Sequence, residues 1–125
     1  MFAPLNLTGM AQAMAAQAGR RLDVIARNVA NADTPGFQAM DMPAFAESHA
    51  AAGLALRATR PGHLGGDPAE VAARRDKTAA APNGNSVALE QEMVKSASAR
   101  AEHDMALAVY RSSAEILRAS LGKAR

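Results

Sequence analysis

The residues that could do chemistry are few and scattered. His49, His63 and His103 stand far apart, with none of the spacings of a metal site. They read as surface or polar-contact residues, and no metal ligand is assigned. Ser86, Ser112 and Ser113 lack the glycine frame of a nucleophile elbow. Gly62 and the Gly65-Gly66 pair are not followed by Gly-Lys-Ser/Thr, so no phosphate-cradling loop is present. Glu90 and Glu92 fall where a helix would begin. There they suit the helix dipole better than they suit an acid–base pair. With no cysteine, a thiolate nucleophile and a disulfide framework are both excluded. The inventory assigns no catalytic residue, no cofactor-binding residue and no small-molecule substrate, and the chain reads as non-enzymatic.

Composition points the same way. Of 125 residues 49% are hydrophobic, but 32 of those are Ala, and only three Phe and one Tyr provide aromatic bulk. Leu, Ile, Val and Phe together are 21 residues, so any core is thin. The length allows one domain. A net charge of +2 and four aromatics offer neither a phosphate-tracking surface nor a stacking platform, which argues against nucleic acid as a partner. No uninterrupted apolar run is long enough to span a membrane. The N-terminal residues carry no Lys or Arg before Arg20, unlike a Sec signal peptide, so export would need another route.

The most specific stretch is Arg27-Asn28-Val29-Ala30-Asn31-Ala32-Asp33-Thr34-Pro35-Gly36-Phe37. It reads as a helix ending in an Asx-rich stop. Thr34-Pro35-Gly36-Phe37 has the form of a type II turn, with Pro presetting one φ and Gly supplying the positive φ that follows. Taken alone, an ordinary helix C-terminus accounts for the pattern.

Three segments must position these residues: an N-terminal helical arm over 1–36, an irregular Gly/Pro-rich segment over 37–85, and a C-terminal helix over 86–125. The centre from Asp33 to Ser86 holds five of the six Pro and six of the nine Gly. In the first arm Leu7, Met10, Met14, Ala18, Leu22, Ile25, Val29 and Ala32 recur at the α-helical period. Asn6 or Thr8 is a candidate cap at its start. In the second arm Leu107, Tyr110, Ala114, Leu117 and Leu121 form a heptad seam, continued upstream by Leu89, Met93, Ala97, Ala101 and Met105. Asn85 or Ser86 is a candidate cap for this helix, which should run from about Val87 to Leu121. Within the centre, Ala50–Leu56 and Pro68–Lys77 are helix-compatible and Arg57–Arg60 is strand-compatible. The expected fold is all-α: two long terminal helices paired as a coiled-coil-like hairpin, one discontinuous domain with a mostly irregular centre. Such Ala-rich helices bury little alone, so their burial should be completed against other chains.

The Asn28–Phe37 stretch resembles the Asn-Ile-Ala-Asn-Ala-x-Thr-Pro-Gly-Tyr signature of the flagellar axial proteins, with Val29 for Ile and Phe37 for Tyr. Gly84-Asn85-Ser86-Val87-Ala88-Leu89-Glu90-Gln91-Glu92-Met93 is similar to the Gly-Asn-Thr-Val-Asp-Leu-Glu-x-Glu-Met segment of the basal-body rod proteins, with Ala88 for Asp. Thr59–Leu64 resembles their Thr-x-x-x-His-Leu, and His103 stands where a Tyr is usual. The likeness runs through nearly the whole chain. It marks Asn28, Asn31, Asp33, Thr34, Pro35, Gly36, Phe37, Asn85, Val87, Leu89, Glu90 and Met93 as motif residues. The seam residues Leu107, Tyr110, Leu117 and Leu121 join them as assembly candidates.

The resemblance implies a structural subunit of the proximal rod of the bacterial flagellar basal body, built into a torque-transmitting tube through its terminal helices. Implied partners are other rod subunits, in homo- and hetero-oligomeric contact, the junction protein between rod base and MS ring, and the flagellar type III export apparatus. The implied location is the periplasm-spanning rod, reached without a cleaved Sec signal. The alternative is a cytoplasmic helical-hairpin adaptor or flagellar export chaperone.

Overall fold

The computed structural model describes residues 3–51 and 71–122. The element order is α1 (Ala3–Ala30), β1 (Met40–Asp41), α2 (Phe45–Ala51), β2 (Arg74–Arg75) and α3 (Leu89–Ser120). The fold is mostly helical. Helices α1 and α3 are about 42 and 48 Å long at 1.5 Å per residue. They pack antiparallel: Asn28 meets Glu92 near one end, and Arg21 meets Glu102 further along.

The reasons lie in the sequence. Pro4 sits in the first turn of α1, where a missing N–H breaks no helical bond. Asn6 and Thr8 therefore lie inside the helix rather than at its cap. At the start of α3 the residue before the first turn is Ala88, without a side-chain cap. Asn85 and Ser86 are directed to other partners, described below.

Both helices bury residues seven apart. On α1 these are Ala11, Ala18 and Ile25; on α3 they are Glu92, Ala99, Ala106 and Ser113. Ala99 and Ala106 are 0% and 1% exposed. The contact line thus consists mainly of small residues, which let the two backbones approach closely. The expected α3 seam is displaced accordingly. Leu107, Ala114 and Leu117 flank the contact at half burial, Tyr110 is 37% exposed, and Leu121 is 80% exposed. Upstream, Leu89, Met93, Ala97, Ala101 and Met105 are all exposed. Periodicity finds the apolar side of a helix but does not say which residues on it the chain's own partner covers.

The central segment covers one side of the hairpin. Strands β1 and β2 form a two-stranded antiparallel ladder with Met40 opposite Arg75 and Asp41 opposite Arg74. Gln17, nearly buried on α1, donates from Nε2 to the Pro43 carbonyl at 2.7 Å and to Ser48 Oγ at 2.9 Å, fixing α2. Residues 71–77 are extended around β2 rather than helical, because the ladder with β1 satisfies their backbone instead. The Ala50–Leu56 expectation meets only the end of α2, and its remainder lies outside the described residues. So do Arg57–Arg60, Thr59–Leu64, Gly62, His63 and Gly65-Gly66.

Candidate functional site

The motif residues of the two arms meet at one end of the hairpin. Helix α1 ends at Ala30, and Thr34–Phe37 closes a turn through the Phe37 N–H donating to the Thr34 carbonyl at 3.3 Å. Gly36 has φ +74°, the positive value that a type II turn requires at its third residue. Asn31 Nδ2 folds back to the Arg27 carbonyl at 2.8 Å, and its Oδ1 accepts Thr34 Oγ1 at 3.3 Å. Asp33, Thr34 and Pro35 are exposed, and Phe37 is half-buried.

Asn85 locks this turn from the other arm. It is 3% exposed, and its Nδ2 lies 2.9, 2.7 and 2.9 Å from the carbonyls of Asn31, Ala32 and Thr34. Those carbonyls lie just past the helix, where no intrahelical donor remains for them. Its Oδ1 accepts the Val87 N–H at 2.7 Å, which aims the chain into α3. Asn85 thus caps the end of α1 rather than the start of α3. Ser86 donates its N–H to the Phe37 carbonyl at 3.0 Å and accepts the Ala39 N–H on Oγ at 2.8 Å. The second turn, Ala81–Gly84, closes through Gly84 N–H to the Ala81 carbonyl at 2.8 Å. It abuts the first: Gly36 N–H donates to the Asn83 carbonyl at 3.1 Å. A Cβ on Gly84, whose φ is +80°, would stand 3.3 Å from Gly36 Cα.

A buried polar clamp lies beneath the turns. Asn28, 1% exposed, accepts the Met40 N–H on Oδ1 at 3.0 Å. Its Nδ2 donates to the Met40 carbonyl at 2.6 Å and to Glu92 Oε2 at 2.9 Å. One amide therefore joins α1, β1 and α3. Glu92, also 1% exposed, accepts Lys95 Nζ on its other oxygen at 2.9 Å. Lys95 also pairs with Asp76 and lies 3.7 Å from Asp41. Arg21 stands 3.5 Å from both Asp41 and Glu102. The Lys95 hydrogen bond holds the Asp76 carboxyl below its ordinary pKa against the opposing effect of burial. Burial works against the Lys95 charge, but hydrogen bonds to Asp76 and Glu92 and the nearby carboxylates outweigh it and hold the ammonium above its ordinary value.

Glu90 is exposed near the start of α3, and Val87 is half-buried. Gln17, Arg21, Asp41, Asp76, Asn83 and Lys95 carry much of the wiring without being assigned a role from the sequence, and Ser86, read as a candidate cap for α3, instead bonds the chain at Phe37 and Ala39. Of these, only Asn83 and Ser86, beside Asn85, had a local signal. His49 stacks at a tilt on Phe45 with ring centres 5.4 Å apart, and His103 Nδ1 is 3.8 Å from Asp104. Among the described residues, no group of three or more His, Asp or Glu is placed to hold a metal ion, and no helix is long and apolar enough to cross a membrane.

The side of the hairpin away from β1 and β2 is open. A groove of about 540 Å³ runs between the helices, lined by Leu22, Ile25, Ala26 and Val29 of α1 and by Met93 and Ala97 of α3, among others. Outside it Val94, Met105, Ile116 and Leu121 are 71%, 53%, 64% and 80% exposed, Leu121 on the same flank of α3 as Met93 and the other three toward the opposite flank. Large apolar side chains so exposed on one long helix are suited to protein contact.

Comparison with known proteins agrees. The family model described as "Flagella basal body rod protein" matches residues 9–38, the stretch that carries α1 and its turn. The flagellar basal body rod protein FlgB of Agrobacterium fabrum (strain C58) is 32% identical over 117 residues, covering 87% of each chain. A non-catalytic hairpin whose motif residues lock one end and whose apolar surface faces outward is thereby placed: the chain belongs to the flagellar basal body rod protein family, as a structural subunit of the rod that assembles with other rod components.

Proposed function

We propose that the chain is a proximal-rod subunit whose two terminal arms act as one discontinuous domain and pack against neighbouring subunits to build a torque-transmitting tube. The observation that carries this reading is that α3 leaves large apolar side chains uncovered on both flanks of its contact line: Leu89, Met93 and Leu121 toward the open groove, and Val94, Met105 and Ile116 toward the other side. Neighbours would be copies of this chain, other rod proteins and the junction protein between rod base and MS ring. The Asn28–Phe37 and Asn85–Met93 motifs hold the two arms in one geometry, so that the outward residues, with Leu107, Tyr110 and Leu117, present a fixed lattice face. Delivery is by the flagellar type III export apparatus, into the periplasm-spanning rod. A thin Ala-rich seam suits that route, since a chain with little stand-alone burial is easily kept unfolded for threading.

The test is to purify basal bodies from cells carrying an epitope-tagged chain and locate the tag. Recovery in the rod fraction, with loss of hook and filament on deletion, is expected. Recovery only as a soluble cytoplasmic oligomer would instead indicate an adaptor or export chaperone.

A further inference from the structure

Of the five Asn residues in the chain, only Asn83 is followed by Gly. A following Gly offers the least steric hindrance to attack by its own backbone nitrogen on the Asn side chain, because it has no Cβ. We propose that Asn83 is a self-modification site, forming a succinimide with Gly84, and that the folded turn holds the reaction silent. In the reaction the Gly84 amide nitrogen loses its proton and attacks Asn83 Cγ. The new C–N bond closes the ring as the Cγ–Nδ2 bond breaks, and the side-chain nitrogen leaves as ammonia with the proton taken up. Water then opens the imide at either carbonyl. One opening gives aspartate; the other gives isoaspartate, with the main chain rerouted through the side-chain carbon. No oxidant or reductant is needed.

Asn83 is exposed, so water and base reach it. Its surroundings nevertheless oppose ring closure by fixing the geometry of the turn. The nucleophile is occupied, because Gly84 N–H donates to the Ala81 carbonyl at 2.8 Å. The side-chain amide is fixed in orientation, because Asn83 Oδ1 accepts the Asn85 N–H at 3.0 Å; that bond polarises Cγ, so it restrains the reaction by geometry alone. The peptide plane between them is pinned where the Asn83 carbonyl accepts Gly36 N–H at 3.1 Å, and the next plane is tethered where the Gly84 carbonyl accepts Gln38 Nε2 at 3.2 Å. Reaction therefore requires the turn to open, and its rate follows the population of the opened state.

The product damages what the turn supports. Isoaspartate lengthens the main chain just before Asn85, whose amide caps α1. Either product adds a negative charge beside the carbonyl-rich end of α1, where the helix dipole disfavours it. Chain that stays unfolded becomes chemically marked at the residue next to its own lock, whereas folded chain is spared.

The full-length protein is incubated at mildly alkaline pH, once in native buffer and once in urea, and isoaspartate and aspartate at position 83 are quantified by peptide mass spectrometry. The native chain is expected to react about tenfold more slowly or less. Gln38→Ala removes a single exposed tether and should speed the native reaction a few-fold while leaving helicity unchanged. Equal rates in the two buffers would overturn the protective role of the turn. No product in urea would overturn the site itself.

Discussion

Asn28 and Glu92, 64 residues apart in sequence, meet through a 2.9 Å hydrogen bond in the interior of the hairpin. The buried line on either side consists mainly of small residues repeating every seven, so a slide of one heptad would present nearly the same surface. The Asn28–Glu92 pair is the buried feature of the helix contact that distinguishes the register, acting with the Asn85 ties at the turn and the Arg21–Glu102 contact, a role well attested for buried polar groups in helical pairs. Asn28→Ala leaves Glu92 without its neutral donor and both Met40 backbone groups unpaired. We expect a loss of about 3 kcal/mol by urea denaturation and mixed registers by disulfide trapping between the helices. Glu92→Gln should cost less, since an amide oxygen can still accept.

Asn85→Ala and Asn85→Asp separate two functions of one side chain. Alanine loses the donor to three carbonyls and should cost about 2 kcal/mol. Aspartate retains the acceptor for Val87 but aims a charge at those same carbonyls, and should cost about 4 kcal/mol. Amide exchange at Phe37 and Val87 reports the difference: aspartate should expose the first and spare the second.

The two turn glycines differ in environment. A Cβ on Gly36 meets nothing within 4 Å, so substitution there is strained only by φ. Gly36→Asn should cost about 1 kcal/mol, because Asn tolerates the left-handed region, and Gly36→Val about 2–3 kcal/mol. Gly84→Ala adds the 3.3 Å approach to the Gly36 backbone and should exceed Gly36→Ala in the same denaturation assay.

The Asp76–Lys95 pair sets a pH window. The Asp76 pKa lies lower folded than unfolded, so its stabilisation is present above 3.8 and is lost as pH falls through the depressed folded value. The Lys95 pKa lies higher folded than unfolded, so its stabilisation is complete below 10.5 and is lost as pH rises through the elevated folded value. Stability measured against pH should show a plateau between these limits. Asp76→Asn should flatten the acid side and lower the plateau by about 1 kcal/mol, the pair being partly solvent-screened.

Folding and assembly should separate by position on α3. Ala106→Leu inserts bulk at the closest helix approach and should cost the isolated chain about 2–3 kcal/mol. Met93→Asp and Ile116→Asp alter exposed surface and should change its stability by less than about 0.5 kcal/mol. We expect both to abolish rod formation and motility. The half-buried Leu117→Asp should do the same at a larger stability loss, whereas Arg111→Asp should be milder. Normal motility with Met93→Asp and Ile116→Asp together would remove the exposed flanks of α3 from the assembly mechanism.

The helical arms and the turn between Thr34 and Phe37 were legible because local chemistry dictates them. The apolar period of 3.6 finds Ala18 and Ile25, and Pro35 followed by Gly36 permits few conformations. The seam was legible only to its general side. Leu107 and Leu117 flank Ala99 and Ala106 because close approach favours small residues at the centre, which a search for large apolar side chains passes over. The polar wiring was not legible. Asn85 looked like a cap for the helix that follows it, but caps one that ends 55 residues earlier. Lys95 and Asp76 have no local pattern at all, since their partners are brought together only by the paired helices and the β1–β2 ladder.

The Phe37–Ser86 and Ala39–Ser86 hydrogen bonds, with Gly36 against Gly84, bring the chain's departure from one arm and its return to the other together at a single neck. Beyond the neck, Met40, Asp41, Pro43, Ser48 and Asp76 are tied to Asn28, Arg21, Gln17 and Lys95, so the stretch from the neck to Asp41 is fixed in length. An insertion between α2 and β2 disturbs none of these ties and adds only closure entropy, about 0.6 kcal/mol per doubling of the loop. An insertion between the neck and β1 would carry Met40 out of reach of Asn28, so the chain tolerates growth only at the far end of its central segment.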